Sequence, residues 1–92
     1  MDGMKSEYDL IRNMNGMSYK LLNVIRLMTK EGHTDQDGYV TLSHAKISMK
    51  LGIGNNVTRI LNDLSQYPEV LEIKRGDTKT PNKFKVNVNF LL

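Results

Sequence analysis

Residues 50–64, KLGIGNNVTRILNDL, constrain the fold more than any other stretch of the chain. A Gly-Ile-Gly turn leads into Asn55 and Asn56. Behind them Val57, Ile60 or Leu61, and Leu64 recur at steps of three and four, the spacing of one buried helix face. Gly52 permits a tight turn, and Ile53 is an apolar plug within it. Upstream, Ser43 caps the helical stretch SHAKISMKLG, with Leu42 placed to pack on Ile47. Ile47, Ser48 and Leu51 share a face there, while Lys46 and Lys50 point away. The pattern predicts two short helices joined by a tight turn, the second running over about 54–66 and stopped before Pro68. Asn55, Asn56, Thr58, Arg59 and Asn62 crowd that second helix with hydrogen-bonding side chains. Such a set either caps a helix or is presented to something that is read.

The flanking segments fill in the architecture. Met4, Tyr8, Ile11 and Met14 lie near helical spacing, with Asn15-Gly16 as a stop. A second helix is expected from Ser18 as its N-cap to a stop at Gly32. Leu21, Leu22, Val24, Ile25 and Met28 form its apolar face, and Lys20, Asn23, Arg26 and Lys30 lie opposite. Tyr19 and Leu27 fall toward that polar side, either exposed or facing the first helix or a second subunit. HTDQDG reads as a loop and YVTL as a short strand. VLEIKRG and KFKVNVNF flank the turn-rich GDTKTPN and predict a β-hairpin. In its second arm Phe84, Val86, Val88 and Phe90 are expected on one face, with Lys85, Asn87 and Asn89 on the other.

Ninety-two residues make one core. The chain has no cysteine, which excludes disulfides and thiolate metal sites. No apolar run approaches a membrane span, and MDGMKSEYDL holds no signal-peptide core, so a cytoplasmic setting is expected. His33, Asp35 and Asp37 resemble only a fragment of a calcium loop, without the later ligands. No nucleophile–base pair is visible, and neither cofactor nor small-molecule ligand is indicated, so an enzyme is not expected. Charge is uneven. Residues 1–43 carry five Lys/Arg against six Asp/Glu, and residues 44–92 carry eight against four, a net of −1 against +4. The basic half suits a polyanionic partner.

In this order of elements the chain resembles the winged helix-turn-helix superfamily. The resemblance rests on Ser43, Ile47-Ser48, Leu51-Gly52-Ile53, Val57-Thr58-Arg59, Leu61 and Leu64, and on the hairpin from Val70 to Val88, and it covers about residues 18–90. The chain departs from the pattern in a turn one residue short, with Gly54 at the usual Ser/Thr cap, and in Tyr67-Pro68-Glu69 where Gly is usual. Thr80-Pro81-Asn82-Lys83-Phe84 looks like the wing of plasmid and phage replication or partition proteins. The resemblance implies an α+β fold: a three-helix core with a C-terminal β-hairpin wing, residues 18–92, preceded by a helical extension, residues 1–17.

It also implies a DNA-binding protein, with a recognition helix over about 54–66 in the major groove and a wing over about 70–89 on the backbone or minor groove. Asn pairs with adenine, Arg with guanine, and Thr touches a thymine methyl, which suits Asn55, Asn56, Thr58, Arg59 and Asn62. Lys74, Arg75, Lys79, Lys83 and Lys85 are set against one acid within residues 74–85 of the hairpin, Asp77, and suit phosphate. Ser43, Lys46 and Lys50 at the preceding helix complete the expected DNA set, the two lysines being otherwise plain solvent charges. Lysines on a hairpin edge also serve against aggregation. The partners expected are double-stranded DNA and a second copy of the chain, with Met4, Tyr8, Ile11, Met14 and Phe90 as candidate dimer residues that could instead pack on the domain's own core. The alternative is a winged helix used to bind a protein.

Overall fold

A computed structural model describes residues 6–54, 56–77 and 79–91. The chain is a small α+β domain. Four α-helices run over Glu7–Asn13 (α1), Gly16–Lys30 (α2), His44–Leu51 (α3) and Val57–Leu64 (α4). Strands Val40–Leu42 (β1), Leu71–Lys74 (β2) and Asn82–Val86 (β3) form an antiparallel sheet in the order β1-β3-β2. A 3-10 turn, Val88–Phe90, follows β3. The strand foreseen at 39–42 is thus the third member of the hairpin's own sheet, with Val40 opposite Phe84. Among the described residues no helix is long and apolar enough to cross a membrane.

Local chemistry sets the helix ends. Ser6 and Asp9 form a capping box at the start of α1. The first correction comes next. Asn15 does not end α1; its side chain accepts from the Met17 N–H at 3.0 Å and caps α2, which starts before the expected Ser18 cap. Ser18 is buried inside the helix. The foreseen stop at Gly32 holds: Gly32 takes φ +83°, and the His33 and Gly32 N–H groups donate back to the Met28 and Thr29 carbonyls.

The Ser43 hydroxyl accepts from the Lys46 N–H at 3.1 Å, as expected of a cap for α3. Gly52 ends α3 in the left-handed region, and the Ser48 hydroxyl closes the turn onto the Ile53 carbonyl, with the Gly54 carbonyl 2.8 Å away. This turn delivers α4, whose Val57, Ile60, Leu61 and Leu64 are all buried. α4 is shorter than the expected 54–66; Ser65 follows as its C-cap, and its hydroxyl donates to the Leu61 carbonyl.

The core joins Leu10 and Met14 to Leu21, Leu22 and Ile25 of α2, Ile47 and Leu51 of α3, the α4 stripe, and Val40, Leu42, Leu71, Phe84 and Val86 of the sheet. Each fully buried Leu, Ile or Phe contributes roughly 1.5–3 kcal/mol. In the α1 segment the buried pair is Leu10 and Met14, four apart, while Tyr8 and Ile11 face out.

Two further expectations are overturned. The alternation of the last strand stops at Val86. Asn87 donates its backbone N–H to the Val70 carbonyl and accepts from the Asn89 N–H, turning the chain so that Val88 is exposed while Phe90 drops into the core. Arg26, placed on the polar side of its helix, is only 5% exposed. Its Nη2 donates to Glu7 Oε1 at 2.7 Å, its Nη1 to Glu7 Oε2 at 2.9 Å and to Asn23 Oδ1 at 3.0 Å, and its Nε to the Phe90 carbonyl at 2.8 Å. A fully bonded guanidinium can be buried where a bare one cannot. Tyr19 joins the cluster by donating to Glu7.

Arg26 holds the Glu7 carboxyl below its ordinary value of 4.5. The stabilisation from ionised Glu7 is therefore present above that value and is lost as pH falls through the folded-state value below it. Glu7→Gln is expected to lower unfolding free energy at pH 7 by about 1–3 kcal/mol. In denaturant titrations the gap between variant and wild type closes well below pH 4.5. A gap that does not change with pH would show that the pair acts only through shape.

Candidate nucleic-acid interface

The amphipathic pattern of α4 decides which side chains it offers outward. With Val57, Ile60, Leu61 and Leu64 turned in, Thr58, Arg59 and Asn62 are exposed. Asn56 is the N-cap residue and is also exposed, but its side chain makes no capping hydrogen bond. The amide expected to serve either as cap or as contact is thus not used as a cap. Asn55 lies outside the described residues.

The sheet pleat sorts the hairpin's charges onto opposite sides. Leu71, Asn82, Phe84 and Val86 face the helices and are buried. Glu72, Lys74, Lys83 and Lys85 take the other face, with Glu72 opposite Lys85 and Lys74 opposite Lys83. There the Tyr39 ring is nearly covered. Its hydroxyl donates to Glu72 Oε2 at 2.7 Å, and the Lys74 and Lys85 ammonium groups lie 4.7 and 5.4 Å from its centroid. The bond to Glu72 pushes the Tyr39 hydroxyl above its ordinary value.

Lys83 donates to Asp35 Oδ2 at 3.2 Å. The Asp35 carboxyl also accepts the Asp37 and Tyr39 N–H groups through Oδ1, and the Tyr39 N–H followed by Lys83 holds it below the usual carboxylate range. The expectation of one acid against five basic residues is thereby corrected. Asp35 and Glu72 are drawn in by the register, whereas Asp77 folds the hairpin tip by accepting the Lys79 and Thr80 N–H groups at 2.8 Å each.

Arg75, one residue past Lys74, falls on the helix side of the sheet. Its Nη1 donates to Asn62 Oδ1 at 3.0 Å, joining the hairpin stem to the outward face of α4. Gly76 follows, and a Cβ there would lie 1.9 Å from the Thr80 carbonyl, so only glycine fits. The Gly76 N–H donates to Asn82 Oδ1 at 2.9 Å, while Asn82 Nδ2 donates to the Leu42 carbonyl at 3.2 Å. Asn82 is buried and braces the hairpin stem against β1.

Beyond the stem, Lys79 and Thr80 border a cleft with Ser43, His44 and Lys46 at the start of α3. His44 also borders the neighbouring cleft between α3 and α4, with Ser48 and Thr58. Sequence reasoning gave His44 no role; its place directly after the Ser43 cap is the signal that could have set it beside the hairpin tip. Lys50, a turn further along α3, borders another cleft with Met28, Glu31 and His33, which Lys46 also lines but Lys79 does not.

The structure therefore brings Ser43, Lys46 and Lys79 together and joins Asn62 to Arg75, and it leaves Lys74, Lys83 and Lys50 elsewhere on the surface. Of the candidate dimer residues, Tyr8 is 78% and Ile11 58% exposed, while Met14 and Phe90 pack into the domain's own core. The last two are corrected to core residues, and Met4 lies outside the described residues. No family model, no curated protein and no solved structure matches this chain.

Asn82 is the part of this arrangement most open to test. Asn82→Ala leaves the Gly76 N–H and the Leu42 carbonyl without their side-chain partner. The variant is expected to lose about 1–3 kcal/mol of stability in denaturant titrations. Amide exchange should rise at Gly76 before it rises in α2. Unchanged protection at Gly76 would mean the stem is held by other contacts.

Proposed function

We propose that the chain is a small winged helix-turn-helix protein that binds double-stranded DNA in a sequence-dependent way. α4 is the recognition helix, the β2–β3 hairpin is the wing, and the protein acts where DNA lies, in the cytoplasm, as a regulator or as a replication or partition factor. The observation that carries this reading is the outward face of α4. Thr58, Arg59 and Asn62 are exposed, and the Asn56 side chain is not used as a cap. An α-helix with its side chains is about 10–12 Å across, which fits the width of the major groove.

Under this reading the hairpin charges divide by task. Lys46 and Lys79 border one cleft beside the start of α3 on exposed side chains and suit phosphate; Asp77 lines the same cleft, its carboxylate accepting from the Lys79 and Thr80 N–H groups. Lys74, Lys83 and Lys85 hold the loop before β1 to the sheet through Tyr39 and Asp35, which is a structural task. Replacing Lys46 and Lys79 together with Ala is then expected to weaken binding to all duplexes about equally. The slope of log affinity against log salt should fall by roughly 2. Lys85→Ala is the control and should leave that slope unchanged. Log–log lines that coincide for the double variant and wild type would dismiss the hairpin tip as a DNA contact. The rival reading, a protein-binding winged helix, draws on the exposed Met49 at the cleft between α3 and α4, and it predicts affinity nearly insensitive to salt.

A module of this size gains affinity by pairing two half-sites, so we place the dimer contact on Tyr8 and Ile11, which α1 turns outward three residues apart. Ile11→Glu is expected to give folded monomers in sedimentation experiments. A folded variant that still sediments with the wild type as a dimer would move the contact elsewhere.

A further inference from the structure

We infer that Asn62 and Arg75 form one positively charged reading unit dominated by hydrogen-bond donors, and that this unit selects guanine within the DNA-binding reading proposed above, on which it rests. The Asn62 side chain alone offers an acceptor and a donor, the pair that matches adenine N6 and N7. In this structure one lone pair of that acceptor is engaged, and a cation stands beside it: Arg75 Nη1 donates to Asn62 Oδ1 at 3.0 Å. Asn62 Nδ2 keeps its N–H groups, and the guanidinium keeps the rest of its fork. An adenine N6 amino group brought to this place would meet the guanidinium's own N–H donors. Guanine instead presents N7 and O6, adjacent acceptors on one edge, and thymine presents a single O4. The unit also carries a full positive charge, which strengthens hydrogen bonds to acceptors.

The surrounding backbone makes this a built arrangement. Asn62 lies one helical turn past Thr58 on the exposed side of α4. Arg75 reaches it because the β2 pleat turns Arg75 toward the helices, away from the face that carries Lys74. The next residue, Gly76, is held by Asn82 Oδ1 at 2.9 Å, so the chain is fixed on both sides of Arg75. A side chain held in place before binding gives up less freedom on binding. The wing stem thus supplies a base-reading group, while the tip is left to phosphate.

The test is selection from a random duplex pool with the full chain, repeated for Asn62→Ala, Arg75→Ala, the double variant and Arg75→Lys. The wild type is expected to prefer guanine at one position. Each alanine variant should lose that preference by about 5- to 150-fold, and the double variant should lose no more than either single one. Arg75→Lys should fail to restore it, because an ammonium lacks the planar fork. Placing 7-deazaguanine at that position should weaken wild-type binding and leave Arg75→Ala unaffected. Thermal melting checks that the variants fold.

Guanine preference kept in both single variants overturns the unit, whether or not melting falls. Losses that multiply in the double variant also overturn it, since the residues would then act separately. Salt-dependent binding without any base preference removes the reading unit and leaves the DNA-binding function standing. Absence of salt-dependent duplex binding by the wild type overturns both.

Discussion

The Arg26 guanidinium is the fixed point on which the described fold hangs. It sits on α2, which contacts α1, α3, α4, β1 and β3. From there it donates to Glu7 near the start of the described chain and to the Phe90 carbonyl near its end. Burying a charge is costly, and removing either partner of such a pair leaves the other without compensation. α1 and the 3-10 turn are short and would fray alone. Tied to one buried cation, they close over Leu10, Met14 and Phe90, which completes the core beneath the helices and the sheet.

Asn82 acts in the sheet on the same principle, with a neutral group. A buried amide is tolerable only when it is hydrogen-bonded, and Asn82 Nδ2 donates to the Leu42 carbonyl while its Oδ1 accepts from the Gly76 N–H. Those bonds fix where β1 ends relative to the hairpin. That in turn brings the start of α3, directly after β1, beside the hairpin tip. The cleft holding Ser43, Lys46 and Lys79 thus depends on one buried side chain next to its lining residues Thr41 and Pro81.

Much of the fold was legible because it depends on local rules. The Ser43 cap, the Gly52 and Gly32 turns, the α4 stripe and the hairpin all follow from spacing and backbone preference. The misreadings share a cause: each needed a partner distant in sequence. Arg26 looks polar until Glu7 is set beside it, and Phe90 continues an alternation until Asn87 bends the chain toward Val70. Ser18 is as good a cap by type as Asn15, and only the packing of α2 decides between them. For the candidate site, the residue types on α4 were legible. The division of the hairpin lysines was only half so. Alternation in KFKV puts Lys83 and Lys85 on one side, but the acids that meet them, Asp35 and Glu72, come from β1's loop and from the register of β2.

That division bears on how the proposed DNA binding would work. A net of +4 in residues 44–92 suggests a uniformly basic half, yet charge held against carboxylates or an aromatic ring attracts a phosphate less than free charge does. Lys74, Lys83 and Lys85 have such neighbours on the sheet's far face, and Lys46 and Lys79 stand at the cleft beside α3. Long, solvated lysines at that cleft suit contacts that need charge but little geometry. Base recognition needs the reverse, groups held at fixed angles, and the Asn62–Arg75 bond is where this surface is tied down. Affinity and sequence choice would then rest on different residues, Lys46 and Lys79 for the one and Asn62 with Arg75 for the other.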